Sequence, residues 1–82
     1  MSLSFSYNKL RGRIREKFGT QEKFAEKLGM SKTTLSLKLN NISEFKQKEM
    51  FDAMRALELD PALVNEYFFT EEVRKTEQKE AM

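Results

Sequence analysis

Apolar residues recur along this chain at spacings of three and four, the period of helices that bury one face. Tyr7, Leu10, Ile14 and Phe18 form the first stripe and predict a helix over Tyr7–Phe18, with Ser4 or Ser6 available as its cap. Gly12 falls inside that helix, where it costs about 1 kcal/mol relative to alanine; close approach of a neighbouring helix is the expected reason. Gly19-Thr20 breaks the stripe. Phe24, Ala25 and Leu28 then mark a second helix, Gln21–Leu28, capped by Thr20 and carrying Glu22 in its first turn. Gly29 supplies the backbone freedom of a sharp turn, Met30 fills the angle, and Ser31 caps a third helix, Ser31–Asn40, whose inward face starts at Leu35.

A polar link over residues 40–44 follows, and Phe45 is expected to pack back into the core. Met50, Met54 and Leu57, with Ala53 beside them, predict a fourth helix over Gln47–Leu57. Glu49 suits the third position of a capping box, but the matching cap is Lys46, a poor one, with Ser43 as the other candidate. Asp60-Pro61 starts a fifth helix, with Leu59 and Val64 spaced as a hydrophobic staple and Leu63, Val64, Tyr67 and Phe68 on its apolar face. Beyond Phe69 only Val73 is usefully apolar among many charges, so residues 70–82 read as a frayed helix or a disordered tail. The expected organisation is one all-α domain over residues 1–69, followed by that charged tail.

Composition narrows the function. The 82 residues suffice for one small domain, and 39% hydrophobic with 34% charged residues fits a soluble helical protein. No cysteine is present, so disulfides and thiolate metal sites are excluded and a reducing cytoplasm is the expected location. No histidine is present either, which removes the commonest general base and most zinc sites. With no phosphate-cradling glycine loop, an enzyme is not expected, nor a cofactor or small-molecule ligand. No apolar run reaches membrane-spanning length, and Tyr67-Phe68-Phe69 is too brief to anchor. The net charge of +2 is unevenly spread: residues 1–48 carry eleven Lys and Arg against four Glu, net +7, and residues 49–82 carry four against nine, net −5. The two-helix motif lies in the positive half, where a phosphate-facing surface belongs.

The segment from Thr20 to Asn41 resembles the helix–turn–helix of Cro and repressor proteins of temperate phages, the Xre-like family. Phe24, Ala25, Leu28, Gly29, Ser31 and Leu35 carry the likeness, together with Thr20-Gln21, Leu35-Ser36 and Asn40. It covers residues 7–59 well and the remainder loosely. The resemblance implies a compact five-helix lambda-repressor-like domain that binds double-stranded DNA, with the third helix in the major groove. At about 100° per residue, Leu35 and Leu39 define its inward side. Lys32, Thr33, Ser36 and Leu37 are then the candidates for base reading. Leu37 also admits a plainer role, as an ordinary exposed leucine or a dimer contact. Gln21, Ser31 and Asn40 occupy positions that resemble phosphate-contacting ones, and Lys46 and Lys48 add charge nearby.

Such proteins act as homodimers on palindromic operators, and the aromatic fifth helix is the expected dimer surface. One position departs from the family pattern: Lys38 stands where relatives bury an apolar residue. Either its stem packs while the ammonium reaches water or phosphate, or Leu39 takes over the core role on a slightly rotated helix. The leading expectation is a sequence-specific transcriptional regulator. The alternative is an antirepressor or adaptor that keeps the helix–turn–helix and binds another protein.

Overall fold

In the computed structural model, which describes residues 4–72, the chain forms α1 (Asn8–Phe18), α2 (Gln21–Leu28), α3 (Lys32–Leu39), α4 (Gln47–Ala56) and α5 (Val64–Phe68). A 3-10 turn, Pro61–Leu63, leads into α5. The fold is all-helical, as expected; among the described residues no strand forms, only one antiparallel bridge between Phe5 and Glu71. The predicted fifth helix is therefore real but short. Asp60 caps the turn before it, its carboxylate accepting from the Ala62 N–H at 2.9 Å.

α2, α3 and α4 all end in the same way. After α2 the Gly29 N–H donates to the Glu26 carbonyl and the Met30 N–H to the Ala25 carbonyl. After α3 the donors are Asn41 and Ile42, to Lys38 and Leu37; after α4 they are Glu58 and Leu59, to Arg55 and Met54. This is the Schellman arrangement, which requires a left-handed residue just past the helix. Gly29 (φ 76°), Asn41 (φ 64°) and Glu58 (φ 58°) fill that place. Glycine does so freely and asparagine tolerably; for glutamate the conformation is a strain.

The core gathers the predicted stripes. Leu10, Ile14, Phe24, Leu35, Leu39, Met54, Leu57 and Phe68 are the large side chains almost fully withdrawn from water. Phe45 packs inward as expected, within a set of edge-on rings: its centroid lies 5.4 Å from Tyr7 and 5.0 Å from Phe68. Arg11 and Arg13 are half-buried and serve the fold. Arg11 Nη2 donates to the Leu39 carbonyl and Arg13 Nη2 to the Leu57 carbonyl, each at 3.0 Å, so α1 supplies cations to the C-terminal ends of α3 and α4.

Other local expectations need correction. Neither Ser4 nor Ser6 caps α1; Tyr7 precedes it without a side-chain cap bond. Gly12 has no close neighbour, since a Cβ built there meets nothing within 4 Å. Lys46, not Ser43, precedes α4. A lysine side chain has no acceptor, so only the Glu49 half of the box forms, its Oε1 accepting from the Lys46 N–H at 2.9 Å. Residues 70–72 are extended: the Ser6 N–H donates to Thr70 O at 2.7 Å and the Glu72 N–H to Ser4 O at 2.9 Å. The rest of the expected tail, residues 73–82, lies outside the described residues.

Candidate partner-binding surface

The two helices of the motif are set by short polar caps. Thr20 Oγ1 accepts from the Lys23 N–H at 3.2 Å, and Ser31 Oγ accepts from the Thr34 N–H at 3.0 Å. With both starts fixed and Gly29 turning the chain between them, α3 presents one side to the core and the other to solvent. Leu35, Lys38 and Leu39 face inward; Lys32, Thr33, Thr34 and Leu37 are exposed.

Of the base-reading candidates, Lys32, Thr33 and Leu37 therefore lie on the open face. Ser36 is half-buried, and its hydroxyl receives the Asn40 amide at 3.3 Å. The phosphate candidates separate. Gln21 shares an open depression with Arg11, Arg15, Thr20 and Lys32, of about 530 Å³. The Ser31 hydroxyl is used locally, accepting from the Thr34 amide and donating to Thr34 Oγ1 at 2.9 Å. The Asn40 side chain donates to the Ser36 carbonyl and accepts from Arg11 Nη2, both at 2.9 Å. Lys46 and Lys48 stand exposed at the start of α4, where Lys48 pairs with Asp52 at 3.0 Å.

Lys38 is where the expected geometry fails. Both alternatives hold in part, since the stem packs and Leu39 is also buried, but the ammonium reaches neither water nor phosphate. Lys38 is 7% exposed. Its Nζ donates to the Glu44 carbonyl at 2.9 Å and lies 3.1 Å from Glu49 Oε1. Burial opposes ionisation of Glu49, yet the Lys46 amide and the Lys38 ammonium together outweigh it and hold the carboxyl below its ordinary value. One of the two lysines of α3 thus contributes no positive charge to its outer face.

What stands out there instead is apolar. Leu37 is exposed, and Ile42, placed beside it by the Ile42 N–H to Leu37 carbonyl bond of 2.9 Å, is 71% exposed. The equivalent residues after α2 and α4, Met30 and Leu59, both pack against the core. The same helix-ending motif turns its apolar residue inward twice and outward once. Sequence reasoning missed Ile42 because it sits within a polar link; its place three residues past the end of α3, directly after Asn40-Asn41, was the available signal.

α5 offers less for a dimer than its composition suggests. Phe68 completes the core and Tyr67 packs against it, which leaves Phe69 as the exposed aromatic, edge-on to Phe5 at 5.8 Å. Among the described residues no group of acidic side chains is arranged to hold a metal, and no helix is long and apolar enough to cross a membrane.

A family model described as a protein of unknown function, DUF739, matches residues 3–71. The solution structure of the modulator of repression (MOR) of the temperate bacteriophage TP901-1 from Lactococcus lactis is similar at 44% sequence identity and a TM-score of 0.73, over 87% of this chain and 96% of that one. No curated protein matches. The phage kinship expected from the sequence is thus met by a modulator of repression, and the matching family is not one named for Cro or repressor proteins.

Proposed function

The chain belongs to the DUF739 family, and we propose that it is a phage-type regulator that modulates repression by binding a repressor protein with the outer face of α3 and the loop that follows. The observation that carries this reading is the Leu37–Ile42 pair, two exposed apolar side chains tied together by a backbone bond. Apolar anchors ringed by polar residues suit the centre of a protein interface better than a charged DNA groove. Burial of the Lys38 ammonium, which removes a cation from the recognition helix, supports it further. So does kinship with a protein named as a modulator of repression.

The test is calorimetric titration of the full chain with the repressor of the same phage or prophage genome. A saturable complex is expected, weakened by Ile42→Ser and by Leu37→Ser while helicity by circular dichroism is unchanged. Absence of a complex, alongside selection of a defined operator from a random duplex library, would overturn the proposal in favour of direct DNA reading. That second reading has its own support in the depression formed by Arg11, Arg15, Gln21 and Lys32, which no acidic residue lines.

A further inference from the structure

The loop joining α3 to α4 is anchored at Phe45, which packs against Tyr7 and Phe68, and around that anchor it is held by polar side chains and backbone bonds. At its start, the Ile42 and Ser43 N–H groups both donate to the Leu37 carbonyl, at 2.9 and 3.2 Å. In its middle, the Asn41 side chain grips the backbone of Phe5 twice: Oδ1 accepts from the Phe5 N–H and Nδ2 donates to the Phe5 carbonyl, each at 2.9 Å. At its end, the buried Lys38 ammonium bonds the Glu44 carbonyl and pairs with Glu49, which in turn caps the Lys46 N–H. The large apolar side chain that the loop leaves in solvent is Ile42, at 71% exposure.

An ion pair with one member buried and the other half-buried is a poor way to gain stability, because desolvation offsets much of the attraction and an apolar pair of similar volume commonly does as well. Its distinctive product is a single geometry. Here that geometry is the path of residues 40–46, which displays Ile42 beside Leu37. We infer that Lys38, Glu49 and Asn41 are positioning residues that hold the Ile42 loop in its binding form before the partner arrives. The inference rests on the reading that this face binds a repressor. Preorganisation of this kind raises affinity by removing the entropy lost when a loop is ordered on binding.

The experiment compares three full-length proteins, the native chain, the double variant Lys38→Met with Glu49→Gln, and Asn41→Gly. The double variant leaves no unpaired buried charge, and its introduced glutamine retains a carbonyl acceptor for the Lys46 amide. Asn41→Gly keeps a residue suited to positive φ while deleting the grip on Phe5. For each, repressor affinity is measured by calorimetry, and amide hydrogen exchange is followed at Ile42 and Ser43 in the free protein. Both variants are expected to melt cooperatively, to exchange faster at those two amides than at the ends of α2 and α4, and to bind the repressor about tenfold more weakly. Binding within twofold of native, with protection at Ile42 and Ser43 unchanged, overturns the positioning role and leaves the repressor reading standing. Failure of the native chain to bind overturns both. Should the double variant fail to fold, Asn41→Gly alone decides the positioning role by the same two measurements.

Discussion

The Lys38 ammonium sits 3.1 Å from the Glu49 carboxylate beneath the loop between α3 and α4, and one carboxylate oxygen serves both that ammonium and the Lys46 amide. A single acidic residue thus neutralises α3's buried cation and caps α4. Losing its charge affects both helices at once.

The consequence for pH has a definite sign. The folded state holds Glu49 below its ordinary value of 4.5, so its contribution to stability is complete above that value and is lost as pH falls through the lower, folded one. Thermal melts from pH 7 to pH 3 are expected to place the native chain above Glu49→Gln at neutrality. The two curves should converge below about pH 4.5, as protonation makes Glu49 resemble glutamine. A gap constant across the whole range would show that the carboxylate's charge is irrelevant to the fold.

Gly12 has open space around it in the interior of α1. Gly12→Ala is therefore expected to stabilise by about 0.5–1 kcal/mol, chiefly by restricting the unfolded chain. In a domain of this size that is a rise of roughly 2–8 °C in melting temperature. A fall instead would reveal a constraint on α1 beyond its packing in the monomer.

Glu58 adopts a backbone conformation that costs a side-chain-bearing residue roughly 1–2 kcal/mol, at φ 58°. Its compensation is an exposed pair with Lys17 at 2.8 Å, and solvent-exposed pairs contribute little. Glu58→Gly should accordingly be neutral or stabilising by up to about 1 kcal/mol. Gly29→Ala, the reverse change at φ 76° in the same motif, should destabilise by about 1 kcal/mol. Chemical denaturation of the two variants tests both signs.

The depression around Gln21 gives the DNA reading its own measurable prediction. Arg15 and Lys32 line it from different helices. If phosphates seat there, the slope of log affinity against log salt should become shallower by about 0.9 for each cation removed. Fluorescence anisotropy on non-specific duplex DNA compares native chain with Arg15→Ala and Lys32→Ala combined. An unchanged slope would exclude the depression as a phosphate seat.

Much of this architecture is legible because period and caps agree. The stripes Tyr7–Phe18 and Met50–Leu57 mark α1 and α4, the Thr20 and Ser31 caps and the Gly29 turn mark α2 and α3, and each is met. What sequence does not show are decisions made by tertiary neighbours. Arg11 and Arg13 look like solvent charges, yet carbonyls at the ends of α3 and α4, 28 and 44 residues away, claim them. Lys38 looks like an exposed or snorkelling cation because nothing local reveals that Glu49 will face it. Glu58 ends α4 in a role that glycine or asparagine usually advertises, so no residue type flags it. Ile42 is hidden by the polar residues around it, although it shares its position in the motif with Met30 and Leu59.

The grip of Asn41 on Phe5 joins two parts of the chain 36 residues apart. Phe5 in turn is bridged to Glu71 on its other side. Contacts of such separation form late, because the chain must close long loops before they repay the entropy. α2, the turn and α3 are local and need no such closure. The helical motif is built from contacts local in sequence, whereas the loop carrying Ile42 is complete only once Asn41 has met Phe5. If that loop is the binding surface, competence to bind depends on this closure between distant parts of the chain.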